Sequence, residues 1–213
     1  MNTETLSHFL ALLSQRQHTS LARRNALFDP NSESFTPAAV LLPVVKHQEE
    51  WQILMTKRAD TLRHHTGQIA FPGGRKDAED ASLTDTALRE AYEEIGTPPH
   101  IWQTFETMPP CYTPSGYAVY TVPALCPQTP VLTLNESEVA EAFYIPLAIV
   151  LNTSSYTQRT FRHRNHTAQS PALPYLHYDI WGLTASILYS LAQIFAQHQL
   201  ELSDQDTHPQ SHS

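Results

Sequence analysis

The stretch that decides the fold is residues 71–96, F-P-G-G-R-K-D-A-E-D-A-S-L-T-D-T-A-L-R-E-A-Y-E-E-I-G. Its second half predicts a helix over about 83–95, because apolar residues recur there at intervals of three and four. These residues are Leu83, Ala87, Leu88, Ala91 and Ile95. The pair Gly73-Gly74 follows a short apolar run, so we expect the backbone to turn sharply before it enters the helix.

Three acidic residues lie close together on this predicted helix. Glu90 and Glu94 are one turn apart at the edge of the apolar stripe, and Glu93 points nearby. Like charges at this spacing cost roughly a few tenths of a kcal/mol each, and more when they are half-buried. Two interpretations stay open: an acidic face in contact with water, or carboxylates that bind a hard cation such as Mg²⁺ or Mn²⁺.

The same stretch resembles the signature of the Nudix hydrolases, G-x5-E-x7-R-E-U-x-E-E-x-G-U, in which U is a bulky aliphatic residue. The matching residues are Gly74, Arg89, Glu90, Glu93, Glu94 and Gly96. Ala91 and Thr97 occupy the two U positions, where they are smaller or more polar than the pattern. The resemblance therefore covers every glycine and every charged position of the signature except its first acid.

The loop before the helix is one residue longer than the general Nudix pattern. Counting forward from Gly74 places the first acid at Asp80, and counting back from Arg89 places it at Ala81. The role of that acid is therefore open between Glu79 and Asp80. The longer loop resembles one branch of the family, the coenzyme A pyrophosphatases.

That branch carries a second pattern upstream, L-L-T-x2-S-x3-R-x3-G-x3-F-P-G-G, and this chain matches its spacing throughout. The matching stretches are Leu54-Met55-Thr56, Arg63, Gly67 and Phe71-Pro72-Gly73-Gly74. Met55 replaces a leucine, and Ala59 replaces the serine and so removes a hydroxyl. Two spaced motifs in register indicate the coenzyme A branch more specifically than either motif alone.

The resemblance implies a fold and a set of site residues. The fold is a Nudix-type α/β/α sandwich around a mixed β-sheet, whereas the sequence pattern itself supports only mixed strands and helices. Metal is implied on Glu90 and Glu94, with Glu93 as a further ligand or base. The Gly74 carbonyl is a further metal contact of the family, and Arg89 stands where the family braces a glutamate of the same helix.

Four further residues are interpreted more openly. Arg58 and Arg63 are candidates for substrate phosphates, because guanidinium groups suit bidentate phosphate contacts, and Gly73 is assigned to the same substrate site. Glu138 stands where several Nudix enzymes have an acid that reaches the metals. The alternatives are solvated loop charges for the arginines, a plain turn for Gly73, a hairpin-rim carboxylate for Glu138 and a surface pair of Arg89 with Glu93.

The resemblance implies a Mg²⁺- or Mn²⁺-dependent hydrolase that cleaves the diphosphate of coenzyme A or its derivatives. The products are adenosine 3′,5′-bisphosphate and 4′-phosphopantetheine, or its acyl form. One alternative is a Nudix hydrolase of another nucleoside diphosphate derivative. The other is a silent nucleotide-sensing module, which the intact R-E-A-Y-E-E core disfavours.

The composition argues against nucleic-acid and membrane partners, whereas the resemblance implies a small-molecule substrate. The net charge of −8 with only 13 basic residues argues against a nucleic-acid partner. Neither an N-terminal signal peptide nor a membrane-spanning run is visible. The two cysteines fit a reducing cytoplasm, where we expect the protein to reside. The sequence leaves the oligomeric state open.

Three segments are predicted along the chain: an N-terminal helix and linker over 1–36, a Nudix domain over 37–199, and a disordered polar tail over 200–213. The first helix runs to about residue 16 behind a cap at Thr3 or Thr5, and 17–36 is a loop. Pro43 suggests a bulge or sheet edge in the first strand. Two later segments, 157–163 and 173–179, form a hairpin, and a last helix covers 181–196.

Overall fold

The computed structural model describes residues 1–31, 34–59, 67–163 and 166–207. Across these residues the α-helices are α1 (Thr3–Leu12), α2 (Thr19–Asn25), α3 (Leu83–Ile95), α4 (Leu147–Val150) and α5 (Gly182–Thr207). The strands are β1 (Thr36–His47), β2 (Glu50–Arg58), β3 (Ile69–Ala70), β4 (Gly73–Arg75), β5 (Gln103–Thr104), β6 (Cys111–Tyr112), β7 (Tyr117–Cys126), β8 (Val139–Pro146), β9 (Thr157–His163), β10 (His166–Tyr175) and β11 (Tyr178–Ile180). In this part of the chain, no helix is long and apolar enough to cross a membrane.

Strand β1 organises a mixed sheet of eight strands. It pairs antiparallel with β2 and β4 and parallel with β7, and the sheet runs β3-β2-β1-β7-β5. Strand β8 lies beside β2, and β6 lies beside β7. Strands β9, β10 and β11 form a separate three-stranded sheet. Gln48 and Glu49 join β1 to β2 with positive φ values of 51° and 66°, which is the backbone of a tight two-residue hairpin turn.

Each face of the mixed sheet is covered by helices. Along β1, Leu41 and Val45 pack with the apolar stripe of α3, whereas Leu42 and Val44 pack with α1, α2, α4 and α5. This alternation is what a strand buried on both faces requires. The predicted α/β/α sandwich with a mixed sheet is therefore confirmed.

Pro43 lies inside a central strand, so the predicted sheet edge is wrong. On one side its register with β7 is continuous, with Pro43 opposite Ala124. On its other side, β1 pairs with β4 over residues 38–40 and with β2 over 44–47. Pro43 falls in the gap between these two partners, where the proline's missing N–H removes no ladder hydrogen bond.

Helix α3 has the predicted extent. The Ser82 hydroxyl accepts a hydrogen bond from the Asp85 N–H at 3.1 Å and so caps the first turn. Gly96 ends the helix in the left-handed conformation with φ 73°. A Cβ at Gly96 would lie 2.8 Å from Thr133, so the glycine also permits the close approach of the later loop.

The N-terminal segment differs from its prediction in two respects. Asn2, rather than Thr3 or Thr5, caps α1, because its side chain accepts from the Thr5 N–H at 2.8 Å. Residues 19–25 form helix α2, although the linker was predicted to be a loop. Leu21 is the buried apolar anchor of α2, and one anchor gives too little periodicity to be recognised in the sequence.

The C-terminal third differs in strand pairing. The predicted first hairpin strand is β9, but it pairs with β10, and the predicted second strand is divided by a turn in which Leu176 has φ 53°. Helix α5 continues past the predicted end at residue 196 to Thr207, so the predicted tail begins inside a helix. The rest of that tail, 208–213, lies outside the described residues.

Candidate active site

Glu90 and Glu94 lie on one face of α3 against the sheet. Glu94 is 3% exposed, and burial raises its pKa to about 8, although Arg58 opposes the shift. Glu90 is half-buried, and burial also raises its pKa, again against an opposing arginine, Arg89. The negative charge of Glu90 adds to the rise in the pKa of Glu94, because it disfavours a second charge close by. This helix face therefore carries a pair of poorly solvated acids.

The glycine pair lies directly against these acids. A Cβ at Gly74 would lie 2.4 Å from a carboxylate oxygen of Glu90, so only glycine leaves room for that side chain. A Cβ at Gly73 would lie 2.4 Å from the Ala39 carbonyl oxygen of β1. The Gly73 N–H donates a hydrogen bond to the Glu94 carboxylate, which lowers the pKa of that group but less than burial raises it.

Arg89 connects the helix to the loop before it. Its Nε and one terminal nitrogen each donate to the Asp80 carboxylate at 3.0 Å, which is a bidentate contact. The other terminal nitrogen donates to Glu90 at 3.0 Å and to Glu93 at 3.1 Å. The guanidinium holds the pKa of Asp80 well below its usual range. We name this contact the Arg89–Asp80 brace.

Glu93 and Glu138 are further acids next to the buried pair. The Glu93 side chain is 51% exposed and is held by Arg89. Glu138 lies close enough to Glu90 and Glu94 for its charge to raise the pKa of both. The position of Glu138 is set by its backbone, because its carbonyl accepts from the Ala59 N–H at 2.8 Å at the end of β2.

Arg58 is the arginine that pairs with Glu94. One of its terminal nitrogens lies 3.9 Å from the Glu94 carboxylate. Its Nε is buried and, among the described residues, has no hydrogen-bond partner. Arg58 therefore keeps a donor for an oxyanion beside the acidic pair. Arg63, the second predicted phosphate ligand, lies outside the described residues.

The donor set fits a hard divalent cation. Carboxylate and carbonyl oxygens are the ligands that Mg²⁺ and Mn²⁺ take, and a cation would offset the cost of ionising two buried neighbours. Among the described residues, no group of three His, Cys, Asp or Glu side chains already converges on one point to hold a metal ion. Glu93 or Glu138 would have to turn toward the Glu90–Glu94 pair to complete a ligand set.

Two cavities lie elsewhere in the described part of the chain. One, of about 780 Å³, opens between the N-terminus, the β1–β2 hairpin and α4. The other, of about 470 Å³, lies between α2, α5 and the β9–β10 strands. Neither is lined by the acids of α3. The candidate site is at α3, because the buried carboxylates and the Arg58 side chain meet there.

Two residues near the site make contacts that the sequence did not predict. Asp80 is the acid whose position was open, and its bidentate contact with Arg89 resolves that question in favour of counting from Gly74, whereas Glu79 is exposed. Asn135 donates to Glu138 at 3.2 Å through its side chain and to the Glu94 carbonyl at 2.9 Å through its backbone. No sequence signal marked Asn135, because its contact with Glu94 joins segments far apart in the chain.

Comparison with known proteins identifies a family. The NUDIX domain family model matches residues 35–167. Two relatives are named "Uncharacterized Nudix hydrolase NudL": one from Cronobacter sakazakii, 39% identical over 88% of this chain and 91% of its own length, and one from Enterobacter sp., 41% identical over 73% and 80%.

A solved structure shares the fold. The MutT protein from Methanosarcina mazei Go1 superposes with a TM-score of 0.50 at 15% identity, covering 79% of this chain and 98% of that protein. The family model spans more than half of the chain, and its relatives match along most of their length. The chain belongs to the Nudix hydrolase family and is a Nudix pyrophosphatase.

Proposed function

We propose that this enzyme cleaves the diphosphate of coenzyme A or of its acyl or oxidised derivatives, in the cytoplasm. The observation that carries the proposal is the position of Arg58, next to Glu94 and with an unpartnered Nε donor. Arg58 lies within the upstream pattern typical of the coenzyme A branch, and that pattern ends at the glycine pair. The proposed substrate-binding arginine and the acids of α3 thereby lie in one site.

We assign Glu90, Glu94 and the Gly74 carbonyl as ligands of Mg²⁺ or Mn²⁺, with Glu93 as a further ligand. When bound, such a cation neutralises phosphate oxygens and lowers the pKa of bound water. The protein's part in diphosphate cleavage is mainly positioning and electrostatics. Gly73 and Gly74 let the backbone approach the substrate closely, and Arg89 holds Glu90 and Glu93 in place from behind.

Arg58 and Arg63 are proposed to bind the phosphates. A guanidinium can offer two parallel N–H groups to a phosphate. An arginine whose buried Nε has no partner breaks fewer hydrogen bonds when it binds a phosphate than an arginine whose donors are all paired. Glu93 or Glu138 is proposed as the base that accepts a proton from the attacking water. The charge of Glu93 raises the pKa of Glu90, and that of Glu138 raises the pKa of both Glu90 and Glu94, which supports either role.

A substrate panel tests the proposal. Coenzyme A, acetyl-coenzyme A, the disulfide of coenzyme A, NADH, ADP-ribose and nucleoside triphosphates would be incubated with enzyme and Mg²⁺ or Mn²⁺, and the products separated by chromatography. We expect kcat/KM to be highest for a coenzyme A species, with adenosine 3′,5′-bisphosphate as a product. A higher kcat/KM for ADP-ribose or NADH would favour the other nucleoside diphosphate class.

The silent sensing module is the second candidate. Such a protein would bind a nucleotide without turnover, and it would not need its carboxylates for activity. Glu90, Glu93, Glu94 and the Arg89–Asp80 brace are all present, which supports an enzyme. Tight binding of every substrate in the panel without any product would favour the sensing module.

A further inference from the structure

The cavity of about 470 Å³ is built from elements away from the acids of α3. Its walls come from α2, α5 and the strands β9 and β10, and it lies on the sheet face opposite α3. None of the residues assigned to the hydrolytic site lines it. A ligand in this cavity would therefore bind independently of the diphosphate substrate.

The charge of this cavity is opposite to that of the whole protein. Arg23 and Arg24 line it, and no Asp or Glu is among the described residues of its wall. The chain as a whole has a net charge of −8. A small concave surface with two guanidinium groups and no carboxylate has a positive local potential, which attracts an anion.

Three buried polar atoms of the wall lack hydrogen-bond partners within the described residues. They are the Ser20 hydroxyl oxygen, the Arg24 Nε and the Gln193 side-chain oxygen. Buried polar atoms are nearly always hydrogen-bonded in folded proteins, so three unpartnered atoms in one cavity call for an explanation. Ser20 and Arg24 can donate to an oxyanion, and Gln193 can accept from a hydroxyl or amino group on the same molecule.

The wall that carries Arg24 is held in place by its neighbours. Asn25 donates to the Pro110 carbonyl at 2.7 Å and accepts from the Tyr112 N–H at 3.0 Å, which ties the end of α2 to β6. Arg24 itself lies 5.9 Å from the centre of the Phe161 ring and beside the Cys111 thiol. At the other end of α2, His18 contacts Ser190 of α5 at 2.7 Å. The donors are thus preorganised, which favours affinity.

We propose that this cavity binds a small organic oxyanion, a phosphate or a carboxylate, through Arg24, Arg23 and Ser20. Arg24 and Ser20 contact the oxyanion, and the exposed Arg23 attracts it electrostatically. Gln193 contacts a polar group on the rest of the ligand. A volume of about 470 Å³ lies within the usual size range of small-molecule sites. The proposal does not depend on the diphosphate substrate.

Calorimetric titration of the full chain with inorganic phosphate, and separately with citrate, tests the proposal. The titrations contain a chelator and constant ionic strength. We expect one saturable site, a Kd at least tenfold higher in Arg24→Gln, and a Kd about threefold higher in Ser20→Ala and Arg23→Gln. Arg16→Gln removes the same charge from an arginine that pairs with Glu201 outside the cavity, and should bind as wild type does.

The hydrolytic site is a competing location for the anion, so Arg58→Gln is included. We expect this variant to keep the saturable site, which separates the cavity from Arg58 whether or not coenzyme A is the substrate. Loss of binding in Arg58→Gln with unchanged binding in Arg24→Gln would overturn the proposal. So would the absence of saturable binding of both anions to wild type, which would mean that water fills the cavity. Should Arg24→Gln fail to fold, Arg23→Gln and Ser20→Ala carry the same comparison.

Discussion

Asp80 and Glu94 are two acids of similar burial, 8% and 3% exposed, whose pKa values move in opposite directions. Arg89 contacts Asp80 through two hydrogen bonds of 3.0 Å, so the pKa of Asp80 falls well below its usual range. Arg58 approaches Glu94 only to 3.9 Å, so burial dominates and its pKa rises to about 8. Full hydrogen-bonded pairing makes a buried acid structural. Incomplete pairing leaves an acid whose charge a metal cation can balance.

The largest expected effect comes from removing the charge of Glu94. Glu94→Gln keeps the shape of the side chain and removes an oxygen ligand, so we expect turnover to fall by at least about 10²–10³-fold, as on loss of one transition-state stabilising group. The fold should stay intact, because Glu94 is already largely protonated near pH 7. Steady-state turnover at saturating Mg²⁺ and thermal unfolding measure the two effects.

Glu79→Gln is the matched control for this variant. It removes one negative charge from an exposed residue close to Asp80 in the sequence. Turnover should stay within about twofold of wild type, since exposed substitutions away from special contacts have small effects. Near-normal turnover in Glu94→Gln itself would remove Glu94 from the site.

The second effect concerns stability. Arg89→Ala leaves Asp80 buried without its arginine, which costs about 2–3 kcal/mol of unfolding free energy when discounted for the partial exposure of Arg89. Arg89→Lys keeps the charge but cannot make the bidentate contact, so we expect it to recover less than half of the loss. Denaturant unfolding at pH 7 measures both. Equal stability of Arg89→Ala and wild type would show that the brace has no structural role.

The same pair predicts the pH dependence of stability. A depressed folded pKa means that Asp80 stabilises the protein at any pH above its unfolded pKa, near 3.8, and that this contribution is lost as the pH falls through the folded value. Wild type should therefore lose stability relative to Asp80→Asn between about pH 4 and pH 2. An equal loss of stability in the two proteins over this pH range would contradict this linkage.

The sequence predicted helix α3 and its acids well because the signal there is local. The apolar spacing lies within the 13 helical residues, and the Gly96 stop follows directly. The environments of Asp80 and Glu94 could not be predicted, because each depends on an arginine brought close by the fold. Helix α2 was missed because its buried anchor, Leu21, is a single apolar residue in a polar segment. The β10–β11 turn was missed because Leu176, which takes a positive φ of 53° there, is not a typical turn residue.

The third effect concerns substrate binding. Arg58→Gln removes a charge-assisted donor, so binding of coenzyme A should weaken by about 1.5–3 kcal/mol if the phosphates contact this side chain. Comparison with dephospho-coenzyme A, which lacks the 3′-phosphate, locates the contact. A larger loss for coenzyme A places Arg58 at the 3′-phosphate, and equal losses place it at the diphosphate. No loss for either substrate would leave Arg58 as a partner of Glu94 alone.

The smallest effect is a release of protons when metal binds. Because the pKa of Glu94 is raised to about 8, the metal-free carboxyl holds most of its proton at pH 7, whereas a metal ligand must be ionised. Adding Mg²⁺ at pH 7 should release up to about one proton per protein molecule, and less as the pH rises past 8. Asp80 is already ionised and should release none. Unbuffered titration with a pH indicator measures the release in wild type, in Glu94→Gln, where we expect little, and in Glu79→Gln, where we expect the wild-type value. Equal release from wild type and Glu94→Gln would mean that the buried acid is not coupled to the cation, and the contrast between Asp80 and Glu94 would then be one of packing alone.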